Sequence, residues 1–128
     1  SVFSLYGAGD VNGSGSTYVA YLFASCPGVS KVGSYTGNGS TQTISCGFTG
    51  GARFVMIKCT SNAGNWDVFD TARGMTSSVD PLLRLNTTYA ELNGNGGVTT
   101  VSGGFALDYS LYAAPNISGY TYIYFAVA

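Results

Sequence analysis

A chain of 128 residues is long enough for one domain with one hydrophobic core. Only 9% of it is charged, the net charge is -1, and the five basic residues (Lys31, Arg53, Lys58, Arg73, Arg84) are scattered, so no basic stripe exists to bind nucleic acid. The longest apolar runs, Val19 to Ala24 and Ile123 to Ala128, fall far short of the roughly 20 residues of a helical membrane span. Nineteen glycines and ten tyrosines, among many Ser, Thr and Asn, describe a neutral, hydroxyl-rich β surface. Ser1 in place of an initiator Met points to a processed chain or a piece of a longer one.

In chain order, Val2 to Tyr6 reads as a short strand, Gly7 to Ser16 as a loop, and Thr17 to Ala24 as a strong strand. Pro27-Gly28 turns the chain. Lys31 to Tyr35 is a short strand ended by Gly37-Asn38-Gly39, and Thr41 to Phe48 alternates Ile44, Cys46 and Phe48 with small polar residues, which predicts a half-buried strand. The centre is a hairpin. Phe54 to Cys59 forms its first strand, Ser61-Asn62-Ala63-Gly64 its loop, and Trp66 to Phe69 its second strand. The first strand is almost wholly apolar and is expected to be covered on both faces. In the second, Trp66 and Val68 point one way and Asp67 and Phe69 the other, with Lys58 near Asp67 across the pair. Trp66 is expected in the core between two sheets.

Beyond Thr71 the alternation fades. Pro81 to Leu85 suggests one helical turn, and Thr87 to Leu92 a short strand or turn. Asn93 to Gly96 is a turn, Val98–Val101 and Phe105–Tyr109 make a second hairpin, and Tyr120–Val127 is the final strand. The sum is an all-β domain, a β-sandwich or jelly-roll-like fold of about eight to ten short, mostly antiparallel strands.

The chain also resembles itself. Asn12 to Ala24 reads NGSGSTYVAYLFA and Asn116 to Ala128 reads NISGYTYIYFAVA, and Phe3-Ser4-Leu5 matches Phe105-Ala106-Leu107 upstream. Either residues 1–24 are the closing strand pair of a preceding repeat in a tandem array, ahead of a sandwich module at residues 25–128, or the chain is one domain with two equivalent strands; the whole is expected to form one compact unit. A segment with the residues of a closing strand can pair where such a strand pairs, so residues 2–24 are expected to drive self-association.

The sequence contains no His, which removes the commonest general base and the Ser-His and Cys-His nucleophile systems. Asp67 and Asp70 lie three apart on a strand and face opposite sides, a poor pair for hydrolysis. Gly9-Asp10-Val11-Asn12-Gly13 is oxygen-rich like a Ca²⁺ loop but lacks a bidentate Glu, and an Asx turn suits it better. No catalytic residue, metal site or cofactor is assigned. Cys26, Cys46 and Cys59 are an odd count. Cys46 and Cys59 are the pair to form a disulfide if one exists; the alternative is three small buried hydrophobes in a reducing cytosol. Trp66, Tyr35, Tyr89, Tyr112 and Tyr120 are the candidate ligand or interface residues, as core or subunit packing or as a platform for sugar faces.

Several segments resemble a domain that recurs in virion structural proteins of tailed, especially marine, bacteriophages. They are Lys31-Val32-Gly33-Ser34-Tyr35-Thr36-Gly37-Asn38-Gly39-Ser40, Gly47-Phe48, Phe54-Val55-Met56-Ile57-Lys58 and Trp66 to Gly74. The opening Tyr18 to Ala24 and the ending Ser118 to Tyr124 share the likeness. Cys26, Cys46 and Cys59 depart from that pattern, which leaves a disulfide without family support. The resemblance implies a non-enzymatic tail-fibre, tail-associated or head-appendage module on the virion surface, assembled in the host cytoplasm. Its implied partners are copies of itself (a trimer among the forms), other virion proteins and a host-surface glycan, with no nucleic acid and no membrane insertion. Two alternatives stand beside this: a lectin-like glycan-binding module, and a capsid decoration or self-assembling filament subunit.

Overall fold

The computed structural model describes residues 2–75, 80–93, 97–108 and 114–128. Its described strands are β1 (Ser30–Thr36), β2 (Gln42–Ser45), β3 (Phe54–Cys59), β4 (Trp66–Asp70), β5 (Leu83–Arg84), β6 (Val98–Val101), β7 (Gly104–Leu107) and β8 (Thr121–Val127). They form two antiparallel sheets, a five-stranded one ordered β1-β8-β3-β4-β5 and a three-stranded one ordered β2-β7-β6. The expected all-β sandwich is the fold.

The period-2 pattern decides what faces inward. In β3, Val55, Ile57 and Cys59 are buried while Phe54, Met56 and Lys58 are half-buried. In β8, Tyr122, Tyr124 and Ala126 are buried, and Ile123 and Phe125 turn outward. From the smaller sheet, Ile44, Val98, Phe105 and Leu107 complete the core. Phe105 meets the Tyr124 ring edge-on, with centroids 5.3 Å apart. Tyr124 lies opposite Gly33 of β1, where a Cβ would stand 2.6 Å from its hydroxyl. Glycine at 33 is therefore what lets this ring cross beneath the neighbouring strand.

One polar cluster sits at the end of the sandwich. Asn116, wholly buried, closes a short 3-10 turn (Ala114–Asn116) ahead of β8. Its amide donates to Asn38 Oδ1 (3.2 Å) and to the Ser40 carbonyl (2.5 Å), and its Oδ1 accepts from the Asn38 N–H (3.0 Å). The β1–β2 loop is thereby tied to the start of β8, and the buried amide has its partners.

The structure corrects several expectations. Val2–Tyr6 and Thr17–Ala24 are not strands; residues 2–24 form an arm whose only regular element is the short helix α1 (Gly9–Asn12). High β propensity makes no strand without a partner ladder. Neither the loop expected at Gly7–Ser16 nor the Asx turn describes α1, which has no side-chain cap. The helical turn expected at Pro81–Leu85 is replaced by β5 and a Leu82–Leu92 bridge, because the edge of β4 satisfies that backbone. The central hairpin forms as expected, but Lys58 pairs with Trp66 on the outer side and donates to the Gly64 carbonyl (2.9 Å). Asp67 points inward and faces Arg84 (3.4 Å) instead of Lys58. Trp66 does not enter the space between the sheets; it is half-buried on the outer face of the larger one. All three cysteines are free: Cys46 and Cys59 are buried, but Cys26 is exposed, so only two of them act as small core residues. Gly94–Gly96 and the end of the second hairpin at Tyr109 lie outside the described residues.

Candidate functional site: a groove on the outer sheet face

The sandwich leaves one face of the larger sheet unusually apolar. Val32 of β1, Ile123 and Phe125 of β8, Met56 of β3 and Trp66 of β4 line it side by side. They arise because β8 carries large residues on both faces, so the strand that closes the core also paints the outside. The arm crosses this face. Phe23 lies on Phe125, with ring centroids 4.5 Å apart, and Phe54 meets Phe125 from the other side at 6.1 Å. Between arm and sheet runs a groove of about 460 Å³, which continues past Trp66 toward Leu85 in a second pocket of about 330 Å³. Tyr21 and Phe23 wall both parts.

The arm itself is the most exposed apolar segment described. Val19, Tyr21 and Leu22 are 81%, 83% and 70% exposed. Residues 2–24 contain a single charged side chain, Asp10. Exposed apolar surface of this continuity marks an interaction site more than an ordinary surface.

The sequence-predicted site residues are not brought together. Trp66 alone lies in the groove. Tyr35 faces the core, stacked on Tyr122 at 5.0 Å, and donates its hydroxyl to the Pro115 carbonyl. Burial, with the neighbouring Tyr122 next in weight, pushes its ionisation far above the usual tyrosine range. Tyr120 sits at the end of the sandwich, where its hydroxyl accepts from Asn62 Nδ2 (2.7 Å). Tyr89 is exposed on the loop after β5. Tyr112 lies outside the described residues. No common aromatic platform is formed by Trp66, Tyr35, Tyr89 and Tyr120. The groove residues that sequence reasoning missed are Tyr21, Phe23, Met56, Ile123 and Phe125. The signal was present: β8 is apolar at consecutive positions, which means both its faces need cover.

None of the ion-paired side chains described lines the groove. Asp67 pairs with Arg84 on the inner side, and Arg73 bridges Asp70 and Glu91 (3.7 Å to Glu91). Among the described residues no three His, Cys, Asp or Glu side chains are close enough to hold a metal ion, and no helix is long and apolar enough to cross a membrane.

The family described as a domain of unknown function, DUF7483, matches residues 1–128. The chain belongs to this family. No curated protein and no solved structure matches it. The DUF7483 match spans the arm as well as the sandwich, so both belong to the family's domain.

Two consequences of this placement are measurable. Trp66→Ala should cost about 1–2 kcal/mol in denaturant unfolding, because a half-buried ring forfeits only part of its transfer free energy. A loss of 3–5 kcal/mol would return Trp66 to the core. Second, burial pushes the Tyr124 hydroxyl up to about 12, with the adjacent Cys46 adding to the rise, and burial pushes the Cys46 thiol up as well. Both groups hold their protons more tightly folded than unfolded. Their contribution is present below the unfolded values and is lost as pH climbs through the folded ones. The thermal midpoint, measured under reductant, should fall from about pH 9 upward, and Tyr124→Phe should flatten that fall.

Proposed function

We propose that this DUF7483 chain is a non-enzymatic structural module of a bacteriophage virion. In this reading it is a tail-fibre, tail-associated or appendage domain that meets other virion subunits or the host surface. The observation that carries the assembly part is the apolar outer face of the larger sheet, only partly covered by an exposed, nearly uncharged arm. Uncharged surface is inexpensive to desolvate, and Trp, Tyr, Phe and Met are the residues that protein interfaces favour. The virion part rests on the likeness of Lys31 to Ser40, Phe54 to Lys58 and Trp66 to Gly74 to the phage domain. Assembly in the host cytoplasm and residence on the particle surface belong to the same reading.

The groove favours a protein partner over a sugar. Sugar recognition needs several converging hydrogen-bonding groups beside its aromatic face. Here the groove's polar groups are the Ser34 and tyrosine hydroxyls and the Trp66 indole N–H, in an otherwise apolar wall. The test is to image purified phage particles whose genome encodes this chain, with antibody against it. Regular labelling of tail or head supports the reading; particles devoid of the chain would refute it. A glycan array on the same protein decides the lectin alternative, with dose-dependent binding lost in Trp66→Ala as its signature.

A further inference from the structure

The launching turn of β8 is built twice. Ahead of β8, a 3-10 turn ends at Asn116, the Ile117 N–H donates to the Tyr122 hydroxyl (3.0 Å), the Tyr120 N–H donates to the Ile117 carbonyl (3.1 Å), and Gly119 takes φ +80°. In the arm, 104 positions earlier, α1 ends at Asn12, the Gly13 N–H donates to the Tyr18 hydroxyl (2.8 Å), the Ser16 N–H donates to the Gly13 carbonyl (3.2 Å), and Gly15 takes φ +78°. The repeat in sequence is thus a repeat in hydrogen bonding and backbone conformation. After the turn the two diverge. Residues 121–127 become β8, with ladders to β1 and β3. Residues 17–23 leave the same turn and have no ladder.

We propose that residues 17–23 are a donor strand for a second copy of this chain, becoming a β-strand when that copy supplies the ladder. This rests on the assembly reading above and names its partner. Within one chain the place is taken, since β8 already fills the position between β1 and β3. A hairpin with the chain's own β1 begins and stops. Cys26 bridges Ser30, but next to it the Ser25 hydroxyl, in place of a backbone group, accepts the Val32 N–H (3.0 Å). The chain is then carried over the outer face, where Phe23 meets Phe125. What remains is a segment apolar on both faces, like β8, with a preformed turn and unpaired backbone. Strand addition satisfies such a segment. The partner that presents a matching edge is another copy of the same module, whose β1 stands at the end of the larger sheet and has β8 on one side only.

The test uses the full chain, with sedimentation analysis and amide hydrogen exchange across a dilution series. Association should depend on concentration, and the amides of residues 18–23 should be slowed about tenfold or more in the associated form alone. Ala20→Pro removes a ladder donor and should leave a monomer whose thermal unfolding is unchanged. Tyr18→Phe, which removes the hydroxyl that shapes the turn, should weaken association several-fold. A chain monomeric at every concentration overturns the proposal, as does association unaffected by Ala20→Pro. Protection of residues 18–23 in the dilute monomer overturns it too, because the arm would then close on its own sheet. A monomer still found on phage particles would refute the self-pairing and leave the virion reading standing.

Discussion

Phe105→Ala is expected to lower stability by about 3–5 kcal/mol. Phe105 is completely buried and sits where the two sheets meet. Its ring touches Tyr124 edge-on, so its loss removes an aromatic pair as well as buried area. The small sheet contributes only three strands, and β7 is its middle one. A cavity there can be closed only by moving β7 toward Tyr124, which the pairing to both β2 and β6 resists. The measurement is urea unfolding. Phe23→Ala serves as comparison, since Phe23 lies on the outer face and is 51% exposed. That variant should cost about 1 kcal/mol. Equal losses in the two variants would show that the arm is as much a part of the core as β7.

Asn116→Ala is expected to cost about 3 kcal/mol, through unmade hydrogen bonds rather than lost apolar area. Its side chain is held by the Asn38 side chain and N–H and by the Ser40 carbonyl, and its carbonyl accepts the Gly39 N–H. Alanine would strand the Asn38 N–H and the Ser40 carbonyl, and would release the loop that connects the larger sheet to β2. The repeat provides an internal control. Asn12 occupies the matching place in the arm but is exposed, so Asn12→Ala should change stability by less than about 0.5 kcal/mol. If Asn12→Ala proves as costly as Asn116→Ala, the arm turn is anchored to the sandwich in a way its exposure does not suggest.

Several features were legible in the residues alone. Alternation assigned inward Ile44, Cys46 and Phe48, and the hairpin of β3 and β4, because a strand's side chains have only two sides to choose between. The internal repeat was legible too, and it pointed to the one segment whose structure raises a question about partners. The absence of His and the scatter of charge were equally plain.

What the sequence could not decide is which face of a strand meets which sheet. Trp66 and Phe69 sit three residues apart on one short strand, and either could have been the core residue. Pairing of β4 with β3 turned Phe69 inward and Trp66 out, because Val55 and Ile57 were the inner residues of the partner. Nor could propensity show that Thr17 to Ala24 would stay unpaired while its near-copy became β8. The two segments share residues and even a turn. A strand, however, is defined by the neighbours that accept its hydrogen bonds, and only the tertiary structure places those beside β8 and withholds them from the arm.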